Sequence, residues 1–323
     1  MCTAIAFRPK GFYFGRTLDT EVPYPCEITV TPRAFPLPFR TMPTLEHHHA
    51  IIGMAYVAEG YPLYFDAMNE KGLAMAGLNF ARSAVYREAR EDCDNLAQFE
   101  LLPYLLGRCE SVAEAKELLS RTVLTGEAFS AQLPPSKLHW LLADAHESIT
   151  VEAVAEGLRI YSNAADTLTN EPPFPAQLHH LSSYMGLSPR APENNFAPKL
   201  ELHHYSRGMG AIGLPGDLSS PSRFVRAAFT LRHSVCDGTE EGCVNQFFHI
   251  LGTVDQVRGC CDVNGKLEIT RYTSCCSADT LSYYCSTYES HQITAVDMRR
   301  CALDGDTLAC YPLVQREQIA KLN

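Results

Sequence analysis

Short apolar runs separated by turn residues dominate the chain, with a few stretches of helical period between them. Cys2–Phe7 and Phe12–Arg16 are β-prone and separated by Arg8-Pro9-Lys10-Gly11, which predicts an N-terminal hairpin. Leu73–Leu78, after the turn Asn69-Glu70-Lys71-Gly72, reads as a buried strand. Leu138–Ala143, Ile149–Val154 and Leu158–Tyr161 read as three strands, with Asp144–Glu147 and Glu156-Gly157 supplying turn chemistry. Leu267–Thr273, Leu281–Tyr288 and Gln292–Met298 make the C-terminal part β again. Helices are predicted over Leu96–Leu106 and Ser111–Leu119, the second with Ser111 as cap and Glu114 completing a capping box. Two more are expected, from Ser222 through Leu231 with Ser220 or Ser222 capping, and over Val244–Val257. Residues 22–45 are proline-rich and read as a loop with short extended pieces. Residues 171–200 read as a long irregular connection. Hairpin-like strand pairs without strict βαβ alternation point to an α+β protein, with helices covering two stacked antiparallel sheets. No internal repeat or linker divides the chain, so 1–323 reads as one domain.

Composition narrows the function. A chain of 323 residues, 46% hydrophobic, can bury a large core. A formal net charge of −10 and no basic run longer than two residues argue against nucleic acid as a partner. No apolar run approaches the ~20 residues of a membrane span, and the N-terminus lacks the pattern of a signal peptide. The expectation is therefore a cytoplasmic protein. The odd count of 13 cysteines argues against a secreted disulfide framework. Cys260-Cys261 and Cys275-Cys276 are adjacent pairs, a poor chelate spacing, and His47-His48-His49 reads as a solvated loop. Neither a metal nor an organic cofactor is expected.

Position 2 carries the chemistry. Met1 precedes a small residue, the context in which the initiator is commonly removed. Cys2 would then hold a thiol nucleophile and a free α-amine of reference pKa about 7.7–8.0, a nucleophile and its general base in one residue. Gly15-Arg16-Thr17-Leu18-Asp19 lies on the second hairpin strand. There Arg16 is positioned to favour the thiolate, and Asp19 to orient the amine.

The chain resembles the choloylglycine hydrolases, meaning bile salt hydrolases and penicillin V acylases, from about Cys2 to Asp306. The matching segments begin with Met1-Cys2-Thr3, Phe14–Asp19, Met68–Leu73 and Ala76-Gly77-Leu78-Asn79-Phe80. Leu138-His139-Trp140, Leu168-Thr169-Asn170, Gly213–Asp217, Ser222-Arg223-Phe224, Phe247–Leu251 and Tyr272–Cys275 follow in order. The resemblance implies a four-layer α-β-β-α sandwich, commonly a homotetramer. It implies Cys2 as nucleophile, Arg16 beside its sulfur and Asp19 on the amine. Asn79 and Asn170 would form the oxyanion hole, and Arg223 would brace the site. Asn79, where the acylases often carry Tyr, favours conjugated bile salts such as taurocholate and glycocholate. Ser206-Arg207, just before Gly213–Asp217, implies a taurine preference, since an Arg suits a sulfonate. The loops around Met54–Phe65 and Phe129–Leu133 are candidate steroid lining. The alternatives are a penicillin V acylase or other N-acyl amidase and, in another class, a non-catalytic cysteine-rich metal or redox protein.

Overall fold

The computed structural model describes residues 1–197 and 199–323. Two antiparallel sheets lie face to face. In the smaller, the order is Thr167–Leu168, Cys2–Phe7, Tyr13–Thr20, Ile269–Ser277, Ser282–Thr287 and Ser290–Asp297. In the larger it is Gly157–Ser162, Ser148–Val154, Leu138–Ala143, Ala74–Asn79, Tyr61–Asn69, Ile51–Ala58, Glu27–Thr31 and Ala309–Tyr311. Among the described residues five α-helices accompany them: α1 (Leu101–Arg108), α2 (Val112–Leu119), α3 (Phe174–Leu181), α4 (Ser220–His233) and α5 (Glu240–Gly252).

The two-residue period of a strand assigns each side chain to a layer. Cys2, Ala4, Ala6 and Phe14 of the smaller sheet pack between the sheets against Ile28, Met54, Met68, Leu78 and Leu141 of the larger. Ile5 and Phe7 point the other way, onto α4 and α5 through Ala227, Leu231, Phe247 and Leu251. On the outer face of the larger sheet, Leu73, Met75, Trp140 and Leu142 meet Leu101, Leu105 and Val112 of α1 and α2. The layers are thus α, β, β, α. Because helices cover the outer face of each sheet, the central strands are apolar on both sides, which is why they appear in the chain as continuous runs.

The N-terminal hairpin forms as expected, with its second strand extended to Thr20 and Cys2 opposite Leu18. A Cβ on Gly15 would lie 2.0 Å from the Ser274 carbonyl, so only glycine permits the neighbouring strand to approach there. Other expectations need correction. The proline-rich segment 22–45 contains the strand Glu27–Thr31. The helix expected over Leu96–Leu106 begins only at Leu101, because Asp94–Ala97 pairs in parallel with Thr122–Thr125. Ser111 caps α2 at the Glu114 N–H, but the Glu114 carboxylate reaches the Glu110 N–H rather than closing a box on Ser111. α4 starts at Ser220 after a Ser219 cap whose side chain makes no capping bond; Asp217 instead accepts from the Ser219 N–H at 3.0 Å and the Ser222 hydroxyl at 2.5 Å. α5 is displaced toward the N-terminus of the span expected for it, and Thr239 caps it. Met54 and Phe65, expected on loops, lie on the paired strands Ile51–Ala58 and Tyr61–Asn69. The connection 171–200 contains α3. Two cysteines, Cys236 and Cys243, form a disulfide joining the region after α4 to α5; the chain carries no wider framework among the described residues.

Candidate active site

The site lies where the first strand of the smaller sheet begins. Cys2 is 4% exposed. Its backbone nitrogen donates to Asn170 Oδ1 at 2.8 Å, and its carbonyl accepts from the Arg223 guanidinium at 2.6 Å. Met1 is in place in this structure. Its carbonyl accepts from the Asp19 N–H, and its ammonium donates to the Asp19 carbonyl at 2.5 Å and to Glu268 Oε2 at 2.9 Å.

Strand register separates the two charges of the second hairpin strand. Ala4 is opposite Arg16, so Arg16 shares the inter-sheet face with Cys2. It reaches across to the larger sheet, donating to the Gly77 carbonyl at 2.5 Å and the Phe65 carbonyl at 3.3 Å. Its Nη2 is buried and has no protein partner among the described residues, which leaves one donor group uncommitted. Burial opposes the Arg16 charge, but Cys2, Tyr272, Asp66 and Asp19 outweigh it, and its pKa is raised. Beneath it, fully buried Asp66 accepts from Tyr272 at 2.5 Å, Tyr283 at 2.7 Å and Ser274 at 2.8 Å. Burial raises the Asp66 pKa against the pull of Arg16 and these hydroxyls.

Asp19, three residues beyond Arg16, takes the opposite face. Its carboxylate accepts from Thr270 at 2.7 Å and Thr17 at 3.2 Å and lies 4.0 Å from Arg223. With Met1 present, the backbone of Asp19 rather than its carboxylate meets the N-terminal residue. Arg223, on the first turn of α4, is fully buried and donates to the Cys2 carbonyl, Thr3 Oγ1 and Asn170 Oδ1 at 2.6, 2.6 and 2.7 Å. Burial lowers its pKa, while Asp19, Cys2 and Glu268 act to raise it.

The Asn170 amide is oriented by these contacts. Its oxygen takes the two donors from Cys2 and Arg223, and its nitrogen donates one hydrogen to the Asn79 carbonyl at 2.8 Å. The other hydrogen is uncommitted. Asn79 contributes backbone rather than side chain. Pairing of Ala74–Asn79 with Tyr61–Asn69 ends at Asp66 opposite Ala76. Beyond that point Gly77 and Asn79 direct their polar backbone toward the site, as their bonds to Arg16 and Asn170 record. The Asn79 side chain itself is exposed.

Several supporting roles escaped the sequence reading. Gln177, on the α3 that was not anticipated, donates to the Asn170 carbonyl and to the Pro172 carbonyl. Ser220 accepts from the Asn170 N–H at 2.8 Å. Buried His139 joins Glu152 at 3.0 Å and the Thr169 carbonyl at 2.8 Å and stacks on Phe80, tying the two asparagine segments together. The motifs Leu138-His139-Trp140 and Ala76-Gly77-Leu78-Asn79-Phe80 carried the two rings without indicating that they stack. Tyr24 and Phe65 form an aromatic pair at 5.6 Å, and Phe65 carries the carbonyl bound to Arg16. By contrast, Phe129 packs on Tyr61 and Phe99 outside the larger sheet, away from Cys2.

Ser206 and Arg207 are not drawn in. Both are exposed, and among the described residues the Ser206 hydroxyl bonds only the Arg207 carbonyl. His48 of the histidine triplet is held by the Phe35 and His49 carbonyls. Among the described residues, no three His, Cys, Asp or Glu side chains come together as a metal site, and no helix is long and apolar enough to cross a membrane.

A buried thiol, a buried arginine on the same inter-sheet face and one uncommitted amide hydrogen on Asn170 are compatible with acyl-transfer chemistry. The comparisons agree with that class. The family described as linear amide C–N hydrolases, choloylglycine hydrolase family, matches residues 2–311. The bile salt hydrolase/transferase of Lactiplantibacillus plantarum is 51% identical, covering 100% of both chains. That of Clostridium perfringens is 35% identical over 96% of each. A solved structure of a conjugated bile acid hydrolase from Clostridium perfringens superposes with a TM-score of 0.92 at 34% identity, covering 100% of both chains. Penicillin V acylase from Agrobacterium tumefaciens shares the fold, with a TM-score of 0.76 at 19% identity over 95% of this chain and 90% of its own. The protein is therefore an amide-cleaving hydrolase. It belongs to the choloylglycine hydrolase family.

Proposed function

We propose that the mature chain, with Met1 removed, hydrolyses the C–N amide bond of conjugated bile salts through a thioester on Cys2. The observation that carries this reading is the Cys2 nitrogen held by Asn170 on a strand whose inter-sheet face also carries Arg16. The α-amine takes the proton of the thiol, and sulfur adds to the amide carbonyl. The oxyanion rests on the uncommitted hydrogen of Asn170 Nδ2 and the backbone N–H of Asn79, preorganised donors of the kind worth about 3 kcal/mol each. Arg16, with its free Nη2, favours the thiolate by charge. Collapse breaks the C–N bond as the ammonium returns its proton to the leaving nitrogen. Water, activated by the same amine, then cleaves the thioester and restores the thiol. Asp19 orients the amine, and Arg223 fixes Asn170.

The exposed edge of Tyr24 and the partly buried Phe65 supply an apolar surface for the steroid next to Cys2. Arg207, exposed and unpaired with any carboxylate among the described residues, supports a preference for the taurine sulfonate over glycine. Residues 1–323 act as one domain in a homotetramer. Support for assembly comes from Met185, more than four-fifths exposed, which lines a groove of about 350 Å³ between α3 and α4 that no catalytic residue lines.

The test is amine release from taurocholate, glycocholate and penicillin V by protein whose lack of Met1 is confirmed by mass. Taurine release that disappears in Cys2→Ala, by at least about four orders of magnitude, is expected. Release from penicillin V alone would overturn the bile salt reading while keeping the nucleophile. Higher efficiency on glycocholate than on taurocholate would remove the role given to Arg207.

A further inference from the structure

A buried carboxylate outside this mechanism holds the Met1 ammonium. Glu268, 4% exposed, precedes the strand Ile269–Ser277 and holds the Met1 ammonium through Oε2 at 2.9 Å, while its Oε1 is buried without a protein partner among the described residues. The second ammonium contact is the Asp19 carbonyl. Gln256, whose backbone is bonded to Thr270 and thence to Asp19, is also fully buried, with both side-chain polar atoms unpartnered among the described residues. Buried polar atoms in such a cluster are ordinarily satisfied by ordered water. A peptide unit separates the Met1 nitrogen from the Cys2 nitrogen. The site built for the first ammonium therefore adjoins the amine that Met1 removal exposes.

We infer that Glu268 and the Asp19 carbonyl form a buried ammonium site which, in the mature chain, holds a water hydrogen-bonded to the Cys2 α-amine, making Glu268 a positioning residue for the catalytic base. This rests on the reading of Cys2 as an N-terminal nucleophile. The remaining charges around the amine come from every packed element. Asp19 lies on the adjacent strand, Arg16 on the inter-sheet face and Arg223 on α4. Cys261 and Asp262 sit beside Glu268, and Asp255 acts on Asp19. The two arginines favour the neutral amine. Glu268 opposes them, because a carboxylate linked through one water stabilises the protonated form. Its loss lowers the pH at which the amine becomes a free base.

The experiment compares parent, Glu268→Gln and Glu268→Asp, each verified by mass to lack Met1 and by thermal unfolding to be folded. Two readouts are taken: the acid limb of kcat/KM for taurocholate, and the nitrogen resonance of the Cys2 α-amine titrated in protein carrying isotope-labelled cysteine. In Glu268→Gln both midpoints are expected to fall together, by roughly half a pH unit to one unit. Glu268→Asp, with its charge drawn back by one methylene, should fall part of the way, and it decides the matter if the glutamine variant does not fold. An amine midpoint that coincides with the parent's in the folded variants overturns the inference. A parent that titrates as expected but releases no taurine overturns the substrate reading and leaves the role of Glu268 standing.

Discussion

The catalytic cluster and the loop carrying Ser206 and Arg207 differ in almost every physical respect. Arg16 and Arg223 are completely buried, and each is held by three or more backbone or side-chain acceptors, at least two of them from distant parts of the chain. Arg207 is exposed and makes no ion pair among the described residues. Burial makes each contact in the cluster costly to lose, since a group left without its partner cannot turn to water. Exposure makes the loop inexpensive to alter. On the proposed reading, chemistry is tied to the folded core, whereas discrimination between leaving groups falls to a surface segment whose change leaves the core intact.

Four substitutions sharpen that contrast, taken from the largest effect down. Arg16→Met removes the cation above Asp66 and is expected to cost about 3 kcal/mol of stability by denaturant unfolding, together with most of the activity. The sign of its pH dependence follows from Asp66, whose pKa burial already raises. A raised carboxylate contributes its stability in acid and loses it as pH rises through the folded value, and without Arg16 the shift grows. The deficit should be largest at neutral pH and shrink in acid; a deficit independent of pH would remove Asp66 from the account. Asn170→Ala should lower kcat by about 10²–10³, with a much smaller change in KM, as loss of an oxyanion donor does. A change confined to KM would mean that Asn170 binds ground state alone.

Asp217→Asn tests the boundary between the two regions, because Asp217 is exposed yet anchors the start of the helix that carries Arg223. Its bonds to Ser219 and Ser222 lower its pKa to about 2. Such a group contributes stability above the ordinary carboxylate range and loses it as pH falls toward 2. The variant should be less stable by about 1 kcal/mol near pH 7, as for a lost cap, with the two unfolding curves converging at the acid end. Arg207→Ala should alter the ratio of taurocholate to glycocholate efficiency by no more than about fivefold and leave stability unchanged, the scale of an exposed charge. A loss of kcat on both substrates as large as that of Asn170→Ala would erase the distinction between core and loop.

Much of the site was legible before the structure because its residues stand in ordered motifs. Cys2 at the chain start, Arg16 and Asp19 on the second hairpin strand, and Asn170 and Arg223 farther on all come to one place. Their division of labour was not legible. A two-residue period sends Arg16 to the inter-sheet face and Asp19 to the helix side, so only the former lies with the Cys2 side chain. Asn79 enters through its backbone, which no side-chain pattern signals. The segment 171–200, rich in turn formers, concealed α3 because Pro173 caps a helix whose stability comes from buried Phe174 and Gln177 rather than from propensity.

The chain alone determined that there would be short, mostly antiparallel strands, helices to cover them and an N-terminal cysteine with an arginine and an aspartate close behind. Period, turn chemistry and residue type are local, and local order carries them. Only the tertiary structure decided that both faces of each central sheet would be buried, that Asp66 would balance Arg16 from another sheet, and that Glu268 would meet the N-terminus from 267 residues away. Those outcomes depend on which apolar faces stack and which buried charges must then find partners, and neither condition is written at any one position.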